Sequence, residues 1–93
     1  MLYMAKAKSP SRTKQLNQHI GNAIKKARQA KTDYHQVDLA AAVNLQRSYI
    51  SELESGKRNP TIETLAVICE ELGVSLSNVI AEAEAEYKVQ KKK

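Results

Sequence analysis

The 93-residue sequence contains no phenylalanine and no tryptophan. Its core must therefore be aliphatic, built from Leu, Ile, Val and Ala, a set that suits packed helices. A single cysteine, Cys69, excludes an internal disulfide framework and fits a reducing compartment. With no His or other base arranged around it in sequence, Cys69 is expected to be a small core hydrophobe and not a nucleophile. Two prolines and three glycines leave few break points. No apolar run is long enough to span a bilayer, and the opening MLYMAKAKSP lacks the apolar stretch of a signal peptide. A cytoplasmic protein without membrane contact is the expectation. Paired carboxylates, a nucleophile–base pair and a phosphate-cradling glycine loop are all missing, which argues against an enzyme and against any cofactor. His19 and His35 stand in no metal-ligand spacing, so surface or capping roles are expected and no metal is.

What the chain does have is charge in blocks. Met1 to Arg58 carries eleven Lys/Arg against four Asp/Glu, whereas Asn59 to Tyr87 has six Glu and no Lys or Arg. The last six residues are basic again, and the net charge is +5. This pattern predicts two faces, one able to meet phosphate and one not. Charge runs are also ordinary solvated surface, so the pattern alone does not decide.

The length allows one domain with a modest core. In the first secure helix, which runs to about Lys31, Leu16, Ile20, Ala23, Ile24 and Ala27 recur at three- and four-residue steps as a buried stripe. The stretch Gln36 to Pro60 then reads as two short helices around a tight turn. In Gln36 to Val43, the residues Val37, Leu39, Ala40 and Val43 are predicted to mark one side. Asn44 follows at the turn, as one of the few residue types that tolerates a left-handed backbone. The second helix spans Gln46 to Ser55, with Ile50 and Leu53 inward and Arg47, Ser48 and Glu52 elsewhere; Gly56 ends it. Small Ala40 allows a close crossing near a right angle, leaving a polar helix protruding, a shape that fits the DNA major groove.

Several motifs in the same order resemble the XRE-type helix-turn-helix regulators, the family of phage repressors and Cro proteins. They are the Gln36 start, small Ala40, the turn at Asn44-Leu45, Ile50-Ser51, and Glu54-x-Gly56-x-Arg58-x-Pro60. Upstream, Ile20 to Arg28 looks like the family's first helix. Downstream, Thr61-x-Glu63-Thr64-Leu65 and Leu72-Gly73-Val74-Ser75-Leu76 look like its fourth helix and the entry to its fifth. The resemblance covers about Leu16 to Ile80. It implies an all-α, five-helix, phage-repressor-like fold and a transcriptional regulator that binds a specific double-stranded DNA sequence, a homodimeric repressor or autoregulator reading an inverted-repeat operator through the helix Gln46 to Ser55.

The resemblance also implies roles. Arg28 is expected to pair with Glu54, tying the first helix to the reading helix. Arg47, Ser48 and Glu52 are the candidate base contacts. Arg47 suits guanine O6 and N7, and Glu52 suits the cytosine amino group. Candidate phosphate contacts are Gln36, Gln46, Tyr49, Ser51, Ser55, Lys57 and Asn59. Arg58 has a second reading as a structural residue folding back to an acidic helix end. The family usually has Gly-Leu-Ser before the glutamine, where this chain has Thr32-Asp33-Tyr34-His35, one residue more. Asp33 with Gln36 resembles a capping box, His35 is the other candidate cap, and Tyr34 is a candidate core plug.

The fourth helix, capped by Asn59-Pro60 or Thr61, is predicted to bury Ile62, Leu65, Ile68, Cys69 and Leu72. Val67 falls off that stripe and, with Val74 and Val79, is a candidate dimer surface. Ser75 caps a fifth helix whose Ala/Glu repeat either packs on a partner chain or projects. Residues 1–12 form a basic arm with Lys6 and Lys8, 13–86 the DNA-binding domain with the motif at about 36–55, and 87–93 a basic tail. Ser9-Pro10 is a plausible helix start within that arm. The alternatives are an antitoxin with a toxin partner, a controller of a restriction–modification system, or a protein-interaction module that does not bind DNA.

Overall fold

The computed structural model describes residues 10–92, with side chains described over 15–88. Among them are five helices and no strand: α1 (Pro10–Gln29), α2 (Gln36–Ala42), α3 (Arg47–Glu54), α4 (Ile62–Leu72) and α5 (Leu76–Lys92). The arm residues Lys6 and Lys8 and the Ser9 cap lie outside the described residues. Helix α1 begins at Pro10, inside the stretch assigned to the arm, and α5 continues to Lys92, past the Tyr87 start of the expected tail.

One aliphatic core joins all five helices. Ile24, Leu39, Ile50, Leu53, Ile68 and Cys69 are its largest fully buried side chains. Burial pushes the Cys69 thiol above its ordinary range. Helices α1 and α3 cross closely at Gly21, where any side chain would run into the carbonyls of Leu53 and Glu54. The turn between α2 and α3 is tight: Asn44 has φ 60°, and the Leu45 N–H donates to the Ala40 carbonyl at 2.8 Å.

Three stripe assignments and two surface assignments need correction. Leu16, at the upstream end of its stripe, keeps more than a third of its surface. Val37 is exposed. The buried side of α2 follows Gln36, Leu39, Ala40 and Val43, and Val37 stands about 100° round from Gln36. Ile62 is 63% exposed because it opens α4 at the rim of the stripe, with no preceding turn to cover it. Val79 is 4% exposed and belongs to the chain's own core, and Val74 packs against that core half-buried. Neither valine forms an outward dimer patch. Only Val67 of the three, 49% exposed, faces out.

The reason for the Val79 correction is α5. Leu76, Val79, Ile80, Ala83 and Tyr87 recur at helical spacing, and this side docks along α1. Val79 and Ala83 are buried there. The Ala/Glu repeat thus packs on this chain's own first helix. Polar bridges flank the seam: Lys26 Nζ meets Glu82 at 2.8 Å, and His19 Nδ1 lies 3.2 Å from Glu86. The basic and acidic halves of the sequence therefore meet at this seam, and the expectation of two separate charged faces is corrected to that extent.

Candidate nucleic-acid interface

Helix α3 is eight residues long, and its inward side is Ile50, Leu53 and Glu54. A carboxylate on the buried side needs a partner, and Arg28 of α1 provides it. Arg28 Nε donates to Glu54 Oε2 at 2.7 Å and Nη2 to Oε1 at 3.0 Å. The two side chains are 8% and 2% exposed. Arg28 Nη1 donates to the Tyr34 carbonyl at 2.9 Å, so the pair also fixes the chain entering α2. The Glu54 hydrogen bond leads in holding the guanidinium above its ordinary range, with burial opposing it. Among the described residues no buried side-chain polar atom lacks a partner.

From this pair a relay runs outward. Gln36 sits on the buried side of α2 and donates from Nε2 to Glu54 Oε1 at 3.0 Å. Its Oε1 accepts from Arg47 Nη1 at 3.1 Å. Arg47, the exposed first residue of α3, is thus tied through Gln36 to the buried pair. Gln36 was expected at a phosphate; in this structure both ends of its amide are engaged with protein groups.

The loop before α2 resolves the open capping question. His35 is the N-cap residue, and its N–H donates to the Asp38 carboxylate at 2.8 Å. Asp33 has φ 55° and belongs to the turn leaving α1. Tyr34 packs against the core and donates its hydroxyl to Glu71 at 2.7 Å. Burial, then that hydrogen bond, pushes its pKa up to about 12.

Ser48 is exposed on the outer side of α3, one turn before Glu52. Gln46 is the N-cap residue and makes no side-chain cap bond. Tyr49 and Ser51 are half-buried, while Lys57 and Asn59 are exposed beyond the helix. The exposed Ser55 donates its hydroxyl to the Glu52 carbonyl at 3.1 Å. Gly56, at φ 82°, reverses the chain, and the Lys57 N–H returns to the Glu52 carbonyl at 2.8 Å. The reversal brings Arg58 back over α3, where its Nε donates to Glu52 Oε1 at 2.9 Å. Its guanidinium carbon lies 4.8 Å from the centre of the Tyr49 ring. The fold-back reading of Arg58 places it near the right element, but its partner is Glu52 in the helix and not the carboxylate at the helix end. The Arg58–Tyr49 stack was missed altogether; its only sequence signal is the glycine that turns the loop.

The assembled surface is a short polar helix end flanked by Arg47 on one side and a folded-back Arg58 on the other. It has donors suited to phosphates and base edges. Among the described residues no group of three or more His, Cys, Asp or Glu converges as a metal site. No single described helix is long and apolar enough to cross a membrane.

Known proteins give the context. The helix-turn-helix family profile matches residues 24–78. Control protein C.MunI from Mycoplasma sp is 42% identical over 67 residues, covering 72% of this chain and 90% of that protein. The immunity repressor protein of Bacillus phage phi105 is 35% identical over 63 residues, covering 68% of this chain but 43% of the repressor. Among solved structures, the clp gene regulator ClgR from Corynebacterium glutamicum superposes with a TM-score of 0.74 at 32% identity, covering 83% of this chain and 81% of that one.

Proposed function

The chain belongs to the helix-turn-helix family and is a DNA-binding transcriptional regulator, and on that premise we propose that it reads one inverted-repeat operator as a homodimeric repressor or autoregulator. The observation that carries the reading is the relay from the buried Arg28–Glu54 pair through Gln36 to Arg47. A side chain that recognises a base edge must arrive with its direction set, because loose geometry loses hydrogen-bond discrimination. Arg47 has such a brace and remains exposed at the start of α3. Ser48 beside it is the second base contact in this reading. Lys57, Asn59, Gln46, Ser51, Ser55 and the Tyr49 hydroxyl are the phosphate contacts that set register.

Two-fold symmetry places two such helices about 34–36 Å apart, which is why the operator is an inverted repeat. Val67, exposed on the outward side of α4, supports contact with a second copy. The 42% identity to a control protein favours a small controller over an antitoxin. Its work is binding and not catalysis, at the nucleoid in the cytoplasm.

The test is selection of bound duplexes from a random pool, with wild type and Arg47→Ala side by side. An inverted repeat containing a guanine whose preference is relaxed only in Arg47→Ala supports the reading. Affinity for the selected operator should fall steeply with salt, as displaced counterions require. Uniform binding to every sequence overturns it.

A further inference from the structure

The second half of α3 carries an arrangement that the helix-turn-helix assignment leaves without a role. Glu52 stands on the outer side of α3, one turn beyond Ser48, where an unpaired carboxylate would be repelled by phosphate. It is not unpaired. Arg58 returns from the loop, donates Nε to Glu52 at 2.9 Å and stacks its guanidinium 4.8 Å from the Tyr49 ring centre. The two charged side chains are 46% and 50% exposed, so their outer atoms face solvent. Nε is the Arg58 atom that donates to Glu52, and among the described residues the two terminal amino groups make no hydrogen bond.

We propose that Arg58 is a further base-reading side chain, specific for guanine, and that Glu52 is its positioning residue and not an acceptor for a cytosine amino group. This rests on the DNA-reading role assigned to α3 above. Two physical points favour guanine over phosphate as the ligand. A phosphate contact needs charge and little direction, and Glu52 removes charge. An arginine neutralised by a neighbouring carboxylate releases few counterions, so its value lies in orientation. Glu52 and Tyr49 fix that orientation: one holds an edge of the planar guanidinium, the other its face. The terminal fork is then presented with its two donors in a fixed plane, the geometry that guanine N7 and O6 accept. Lysine in the same place would keep the charge and lose the fork.

The experiment measures the full chain on its selected operator and on every single-base-pair variant of it, with Arg47→Ala as a control. Arg58→Ala is expected to relax one guanine position, distinct from the Arg47 position, by about 10-fold or more. Glu52→Ala should relax that same position by a smaller factor, and the double variant should be no worse than Arg58→Ala. Arg58→Lys should lose the preference while keeping the salt dependence of wild type. Relaxation of different positions by Glu52→Ala and Arg58→Ala would give Glu52 a base of its own and overturn the proposal. So would equal weakening on all sequences by Arg58→Ala with a flatter salt dependence, the mark of a phosphate contact. If Arg47→Ala relaxes its guanine while no Arg58 variant changes any preference, the role of α3 stands and this proposal falls. If wild type prefers no sequence, both fall together.

Discussion

Glu52 and Glu54 lie two residues apart on one short helix, and each is held by an arginine distant from it in the chain or across a turn. Residues two apart on a helix stand about 200° round from one another, so one pair lies inside and one outside. Arg28–Glu54 is sealed under α3, with bonds to both carboxylate oxygens and further links to Tyr34 and Gln36. Glu52–Arg58 lies half in water, with one hydrogen bond and an aromatic face behind it. The chemistry of the partners is the same. The dielectric around them is not, and it decides which pair holds the fold and which is left to set the direction of a side chain at the surface.

The strongest way to break this comparison is to remove Glu54. Glu54→Ala leaves Arg28 charged beneath the helix, and loss of one partner of a buried pair costs about 3–5 kcal/mol. Urea unfolding followed by circular dichroism measures it. Arg28→Met with Glu54→Leu, which removes both charges and keeps apolar volume, should recover much of the loss. A Glu54→Ala protein within experimental error of wild type would mean that burial does not separate the two pairs.

A second substitution sharpens the comparison by leaving all four charges in place. Gly21→Ala puts a methyl group against the Leu53 and Glu54 carbonyls, where α1 passes α3. The helices must move apart, at a cost of about 1–3 kcal/mol. Because Arg28 lies on the same helix, two turns on, that shift should also loosen its grip on Glu54. Unfolding of Gly21→Ala in a Glu54→Ala background checks the coupling: costs that fail to add show that the close approach and the ion pair act together.

The helix order and the reading helix were legible because their signals are local. Apolar spacing, Asn44 at the left-handed turn and Gly56 after α3 each act within a few residues. The Arg28–Glu54 pairing was legible only through family resemblance, since nothing in a 26-residue separation forces two charges to meet. Val37 and Ile62 were misplaced because apolar character was read without the exact angle round the helix, which a seven-residue helix or a helix's first residue hardly constrains. Val79 was misplaced for another reason. The fifth helix that carries it was legible, but which surface covers Val79 depends on a turn between α4 and α5 of 108°, and on α1 lying beneath. Arg58 over Tyr49 depends likewise on a chain reversal whose direction is set in three dimensions.

The smallest expected effect is the one that keeps the comparison sharp. Arg58→Ala and Glu52→Ala should each change unfolding stability by less than about 1 kcal/mol, because water and salt already screen a half-exposed pair and ordering two long side chains has an entropic cost. The same urea titrations measure this, at low and at moderate salt. Raising the salt should shrink even that difference, while the cost of Glu54→Ala should hardly move, since buried charges are screened far less. A stability loss for Arg58→Ala as large as that for Glu54→Ala would make the outer pair a fold element too. Its stacking on Tyr49 would then be a clamp on the loop after α3, and the distinction between an inner pair that holds and an outer pair that aims would collapse.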